Sequence, residues 1–462
     1  MRRHIHIGVS APPTLQVAAV GFGATAVAFG PARVGFGLFL PRFREAFALS
    51  TNEAGMIASG AFLAFLLALP LTAWLVSRVG PRAPVAAGAL SAAAGFGLAA
   101  MAQSVGALAA GVGLAGASAG FCWTPFNDAT ERVAPPDASA EALSAISTGA
   151  AVGVAGAAAL ALCAALESFD WRVAWAAFCL VATAAAAPAI LAVPAGARPF
   201  PEDADMSALR RSKAAPLYGA GVLFGATNAA YLAFAADRVV AAGGLPGLPE
   251  QAAAPVIFVA YGLCGLVGLA TGRIEARIGL PALLALIFAA FAASLALVGR
   301  APGSWAAVLA SASLHGAGVM MVSATLAFWS LRRFPGLGSI GFTAALVATA
   351  LGSVVGPAAA GPVLTFLGPA DGFLALAGPA AAFALGAAVV SAGRRTGAAR
   401  GGAAPPRFIR RRSGISARPA VCGRPTHSAG ARQPTMPFAA SGAGAPSGTK
   451  KSGARSAPGS TA

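Results

Sequence analysis

The chain reads as an all-α polytopic membrane protein: twelve transmembrane helices in two pseudo-symmetric six-helix bundles. Three observations carry that reading. Of 462 residues, 57% are hydrophobic and only 10% charged, whereas soluble domains carry about 25% charged residues. Apolar runs of the length a bilayer requires, roughly 20 residues, recur twelve times. A short basic corner between two such runs, "AWLVSRVGPRAP" at 73–84, is echoed by "GRIEARIGLP" at 272–281, which puts Arg78 and Arg277 199 residues apart. One corner per half is the mark of a chain built from two similar halves.

The runs fall at about 15–41, 53–77, 84–102, 105–127, 141–164, 171–193, 215–236, 251–272, 281–299, 304–330, 338–366 and 371–392. All fifteen carboxylates lie between runs or at their ends, as ionised groups avoiding hydrocarbon should. Lys and Arg asymmetry sets the orientation. With the N-terminus in the cytoplasm, internal segments hold thirteen basic residues before the C-terminal tail is counted, and external loops hold five. Both termini are thus expected to be cytoplasmic. The opening "MRRHIHI" precedes an apolar stretch about twice the length of a signal peptide's core, so that stretch is the first span. The expected division is a cytoplasmic N-terminus at 1–14, bundles at 15–193 and 215–392, a cytoplasmic linker at 194–214 and a basic tail at 393–462.

In the first run, Arg33 lies roughly 7.5 Å from the centre of the run, inside a hydrocarbon core of about 30 Å. Arg can snorkel outward, yet an intramembrane Arg is a functional-site candidate. Gly111, Gly113 and Gly116 match a dinucleotide fingerprint, but no strand precedes them, so they read as helix-packing residues. The segment 128–140 reads as an acidic loop, and the Pro-rich 194–214 as a flexible hinge. The seventh run carries Asn228 near its middle and Tyr231 a turn outward; the tenth carries His315. Such lone polar groups commonly bond helix to helix. With Arg33 they form the candidate substrate-binding set. "GSVVGPAAAG" in the eleventh run, with Gly352, Gly356 and Pro357, reads as a helix-packing motif that lets backbones touch, bent at the proline. Gly149, Gly153 and Gly156 of the fifth run are its partial echo.

Five cysteines show no metal or redox spacing, so no metal and no cofactor are expected. An enzyme would need a buried constellation of His, Cys or carboxylate groups, which the runs do not offer. The tail from Arg394 holds thirteen basic residues and no acid; it reads as disordered, and either drawn to anionic membrane lipid or an extension without function. Without interleaved aromatics, it does not read as a nucleic-acid binder.

The twelve runs, the central linker and the corner Ser77, Arg78, Gly80 and Arg82, with its echo Arg277 and Gly279, resemble the major facilitator superfamily. The family's loop pattern is roughly Gly-x-x-x-Asp-Arg-x-Gly-Arg-Arg. Here Ala73 replaces the first Gly, Ser77 the Asp and Pro81 the first of the closing Arg pair. In the family that Asp joins a charge network latching the inner gate, so the resemblance implies a gating loop that lacks its carboxylate. "GSVVGPAAAG" looks like the family's Gly-x-x-x-Gly-Pro motif, usually found in the fifth helix of exporters. The resemblance spans about 15–392. It implies a monomeric secondary transporter in a bacterial inner membrane, working by alternating access around a site at mid-membrane. The permanent charge of Arg33 favours a small organic anion as substrate. A drug or metabolite exporter, or a transporter-like sensor or scaffold, is the alternative. A proton as coupling ion would need a buried titrating group, with His315 first and Asp237 behind it.

Overall fold

The computed structural model describes residues 12–197, 214–334 and 338–400, and no strand occurs among them. Helix α1 has two pieces, Pro13–Phe29 and Pro31–Phe47, broken at Gly30 (φ −81°, ψ −110°). Pro31 has no N–H to offer the Val27 carbonyl, so the ladder lapses there. Helix α2, Thr51–Val79, opens with a capping box in which Ser50 and Glu53 bond reciprocally. Then follow α3 (Arg82–Ala100) and α4 (Val105–Val133), the latter tightened to a 3-10 turn at Ser118–Phe121. Helices α5 (Pro136–Leu166) and α6 (Trp171–Ala192) close the first half. The second half begins with α7 (Ala215–Val240) and α8 (Glu250–Ile278), then α9 (Leu280–Arg300) and α10 (Trp305–Arg333).

The last helical stretch, Gly338–Arg400, has 63 residues. Straight, it would measure about 95 Å, some three times the bilayer core. It turns at Gly368 (φ 77°, ψ 162°), which divides it into α11 (338–367) and α12 (369–400). Eleven helices are long and apolar enough to cross; with the last one folded in two, they make twelve crossings.

The repeated basic corner has one conformation in both halves. Gly80 (φ 87°, ψ −179°) and Gly279 (φ 80°, ψ 161°) each return their N–H to the carbonyl four residues back, on Val76 and Glu275. That backbone region belongs almost wholly to glycine. The glycine seams repeat too. A Cβ on Gly149 or Gly153 of α5 would fall 2.3 and 2.1 Å from the Phe22 and Ala26 carbonyl oxygens of α1. On Gly352 or Gly356 of α11 it would fall 1.9 and 2.3 Å from those of Val222 and Ala226 on α7. Gly156, by contrast, faces open space and lies outside the seam. Where the halves meet, a Cβ on Gly37 of α1 would lie 1.6 Å from the Leu232 oxygen of α7, and one on Gly55 of α2 would lie 2.5 Å from the Pro357 oxygen of α11. Gly111 and Gly116 pack α4 against α3 and α2. They are packing glycines.

The structure corrects one element. The segment expected as a loop at 128–140 is helical to Val133 and again from Pro136, leaving only Ala134 and Pro135 between. The charged end of α4 holds its helical form through the Asp128–Arg132 pair, four residues apart at 2.7 Å. Helix α12 also runs on to Arg400, beyond residue 393. The N-terminal 1–11, most of the linker (198–213) and the tail from 401, with Cys422, lie outside the described residues.

Candidate functional site

Four helices of the second half bring a polar column into the apolar interior. Asn228 and Tyr231 sit one turn apart on α7, Tyr261 on α8, Ser294 on α9, and Ser311 and His315 one turn apart on α10. The Tyr261 hydroxyl donates to Asn228 Oδ1 at 3.1 Å. Ser311 donates to the Ser294 carbonyl at 2.6 Å, so the Tyr231 hydroxyl must be the donor in its 3.1 Å bond to Ser311 Oγ. Ser294 spends its proton on the Phe291 carbonyl at 2.8 Å and therefore accepts from His315 Nδ1 at 2.6 Å. The network thus assigns the His315 proton to Nδ1. Nε2 is left as a bare acceptor, buried without a partner among the described residues. The imidazole stacks on Tyr231, with ring centroids 3.8 Å apart at 13°.

Arg33 is the third residue of α1 after its break. Its guanidinium stays inside the helix bundle. The guanidinium carbon lies 4.6 Å from the Phe65 ring centroid, 4.7 Å from Phe62 and 5.9 Å from Phe29. Each such contact contributes about 0.5–2 kcal/mol, against a cost of about 2.5–3.5 kcal/mol for a cation at mid-membrane. Aromatic faces therefore stand in for a counter-ion. Nη1 is buried and has no hydrogen-bond partner among the described residues. The side chain lies in a cleft between α1, α2, α4 and α7 whose walls include Ala58, Val112 and Leu232. It is within electrostatic range of Tyr261 on α8. Arg33 thus lies near the column of Asn228, Tyr231 and His315 through Tyr261, which bonds Asn228 and stacks near Tyr231 and His315.

Two further sets of contacts surround this centre. At the end of α1 and α7 away from the N-terminus, Arg44 grips Asp237 bidentately, Nε to Oδ1 at 2.7 Å and Nη2 to Oδ2 at 3.0 Å. At the other end, Arg82 donates to the Val193 carbonyl at 2.8 Å and Arg132 to the Gly196 carbonyl at 2.8 Å, clasping the start of the linker. Ser77 bonds the Trp74 carbonyl of its own helix, at 2.8 Å. In the other half Glu275, beside Arg277, pairs with Arg332 at 2.5 Å.

Sequence reasoning missed Tyr261, Ser294, Ser311 and the Arg44–Asp237 pair. Tyr261 had a signal: it is one of only three tyrosines and sits at the midpoint of its apolar run. The serines had none, since a serine in an apolar helix is equally a packing residue. No group of three or more His, Cys, Asp or Glu that could hold a metal occurs among the described residues.

Twelve crossings in two halves with the same seams and corners, and polar groups buried where they meet, are the architecture of a two-bundle membrane transporter. The chain belongs to the Major Facilitator Superfamily, whose family model matches residues 18–357. It is a multi-pass membrane transporter and not an enzyme. Similar solved structures include the nucleoside transporter NupG, at 13% identity and a TM-score of 0.61 over 82% of this chain and 99% of that one. A POT family transporter in complex with 5-aminolevulinic acid matches at 12% and 0.67 over 82% and 96%. A bacterial homolog of the human lysosomal transporter Spinster, inward-facing and unoccupied, matches at 16% and 0.59 over 83% and 97%. At these identities the likeness is one of fold. Comparison of the sequence with curated proteins returns no match.

Proposed function

We propose that the chain moves a small organic anion across a bacterial inner membrane, with Arg33 as the group that binds the negative charge. One observation carries this reading: a guanidinium inside the helix bundle with Nη1 buried and unpartnered among the described residues, in a cleft where the two halves meet. An anion entering that cleft completes the hydrogen bonding of the cation and offsets its desolvation. The bundles at 15–193 and 215–392 rock about this centre, with the linker at 194–214 as the hinge between them and the corners at Gly80 and Gly279 as gating loops. Both termini lie in the cytoplasm, where the basic tail meets anionic lipid.

The test is uptake into proteoliposomes. Arg33→Gln abolishes transport while the protein inserts and folds normally; Arg33→Lys keeps part of it, retaining charge but losing the planar fork. Normal transport by Arg33→Gln overturns the reading. A second reading concerns energy coupling. Nε2 of His315, next to the Tyr231 ring and without a hydrogen-bond partner among the described residues, is the group that would take up a coupling proton; the alternative is a gradient-independent facilitator. Uptake that ignores a protonophore rules this out, and unchanged pH dependence in His315→Ala removes that residue from the coupling.

A further inference from the structure

We infer that the Arg33 cleft holds a monatomic anion, a halide such as chloride, as the resident counter-ion of the guanidinium. This inference rests on the reading of Arg33 as an anion-binding group and names the occupant that fits the cleft as it stands. Arg44 and Arg132, both largely buried, each hold a carboxylate at 2.7 Å, on Asp237 and Asp128. Arg33 makes no ion pair among the described residues. The cause lies in the four helices that wall the cleft, α1, α2, α4 and α7. Their carboxylates, among them Glu45, Glu53, Asp128 and Asp237, stand near helix ends, while Arg33 lies well inside its helix. Phe29, Phe62 and Phe65 attract the cation at 5.9, 4.7 and 4.6 Å, but a ring carries no net charge. Nη1 stays buried without a hydrogen-bond partner among the described residues. A buried charge with no opposite charge beside it is costly, so the balancing charge has to come from solution.

Size decides which anion serves. The cleft has room for about one water molecule. Sulfate, phosphate and carboxylates exceed that room, whereas chloride occupies about the space of a water. A water in the same place would accept from Nη1 and leave the charge unbalanced. A halide accepts the N–H and balances the charge, in a charge-assisted hydrogen bond about twice as strong as a neutral one. An organic anion takes the position when the halves part and the cleft widens.

The test is the melt of the purified full chain in nanodiscs, first in gluconate buffer and then with chloride, bromide or sulfate at matched ionic strength. At about 0.1 M, chloride and bromide are expected to raise the Tm by about 2 °C, and sulfate to leave it where gluconate does. Arg33→Gln loses the response; Arg33→Lys, which keeps the charge, retains part of it. Crystals grown with bromide should show its anomalous scattering beside Arg33, which a water cannot give. Equal melts in gluconate and chloride overturn the proposal, as does an equal response to sulfate. A halide response that survives in Arg33→Gln reveals an adventitious ion only, and overturns it too. Uptake of labelled acetate, lactate or succinate into proteoliposomes separates the two claims. If halides do nothing while Arg33→Gln abolishes uptake, the resident ion falls and the organic-anion reading stands. If Arg33→Gln loses the halide response yet takes up solute normally, the organic-anion reading falls and the resident ion stands.

Discussion

On one side of the molecule, α5 lays Gly149 and Gly153 on the Phe22 and Ala26 carbonyls of α1; on the other, α11 lays Gly352 and Gly356 on those of Val222 and Ala226 of α7. The seams match residue for residue, yet the helices they join carry different chemistry. Helix α1 breaks at Gly30 and turns Arg33 into an aromatic-lined cleft. Helix α7 is a single helix from Ala215 to Val240 and offers Asn228 and Tyr231 to a hydrogen-bonded column. The corners repeat the lesson. Arg332 finds a carboxylate on Glu275, whereas Arg132, 200 positions earlier, turns to Asp128 and the Gly196 carbonyl. Backbone-to-backbone contact admits only the smallest residue whichever half it falls in. Side chains pointing into the centre are under no such rule, and there the halves have diverged.

The largest test of this likeness is steric. Gly153→Val and Gly356→Val should each destabilise the detergent-solubilised protein by about 2–3 kcal/mol, because a Cβ meets carbonyl oxygen at 2.1 and 2.3 Å. Gly156→Ala, facing open space, should leave the fluorescence-monitored melt unchanged. Losses that differ widely between the two valine variants would break the equivalence of the seams.

The Arg44–Asp237 pair joins the halves where they differ, at 2.7 Å and with both side chains at least three-quarters buried (25% and 16% exposed). Reversing either charge should cost about 1.5–3 kcal/mol and open that end to a thiol reagent at an engineered cysteine. Arg44→Asp combined with Asp237→Arg should restore closure; failure to do so would mean the pair is not a latch between halves.

A smaller effect is expected for Tyr231→Phe, about 1 kcal/mol, since Ser311 keeps its 2.6 Å bond to the Ser294 carbonyl. A loss several times larger in the same melt would show that the column acts as one cooperative unit.

Smallest is Glu275→Gln. With the Arg332 side chain 57% exposed, the pair should contribute under about 1 kcal/mol. A greater change in chemical denaturation would sharpen the contrast, by giving the second half a true latch at its corner.

The skeleton was legible in the sequence because hydrophobic length and small-residue spacing are local patterns. Gly352, Gly356 and the basic corners all announced themselves within ten residues. Arg33 stood out because a charge inside an apolar run is costly wherever it points. Its aromatic surroundings did not, because Phe62 and Phe65 are ordinary members of their own run and become special only when α2 crosses α1. Ser294 and Ser311 are silent for the same reason. The Arg44–Asp237 contact joins positions 193 apart, a separation that no periodicity fixes. The break at Gly30 left a weak trace in the Gly-Pro dipeptide, hidden by the unbroken hydrophobicity around it.

The glycine corners bear on how this protein reaches its membrane. Gly279 alone separates α8 from α9, Gly368 alone separates α11 from α12, and Gly80 with Pro81 separates α2 from α3. A linker of one or two residues reaches at most about 7 Å and cannot cross a bilayer of about 30 Å. Each pair must therefore lie in the membrane as a hairpin, its two members running in opposite directions. The positive charges need to orient only one strand of each hairpin for the other to follow. An inversion of one helix would invert its partner as well, so in orientation these six helices count as three units.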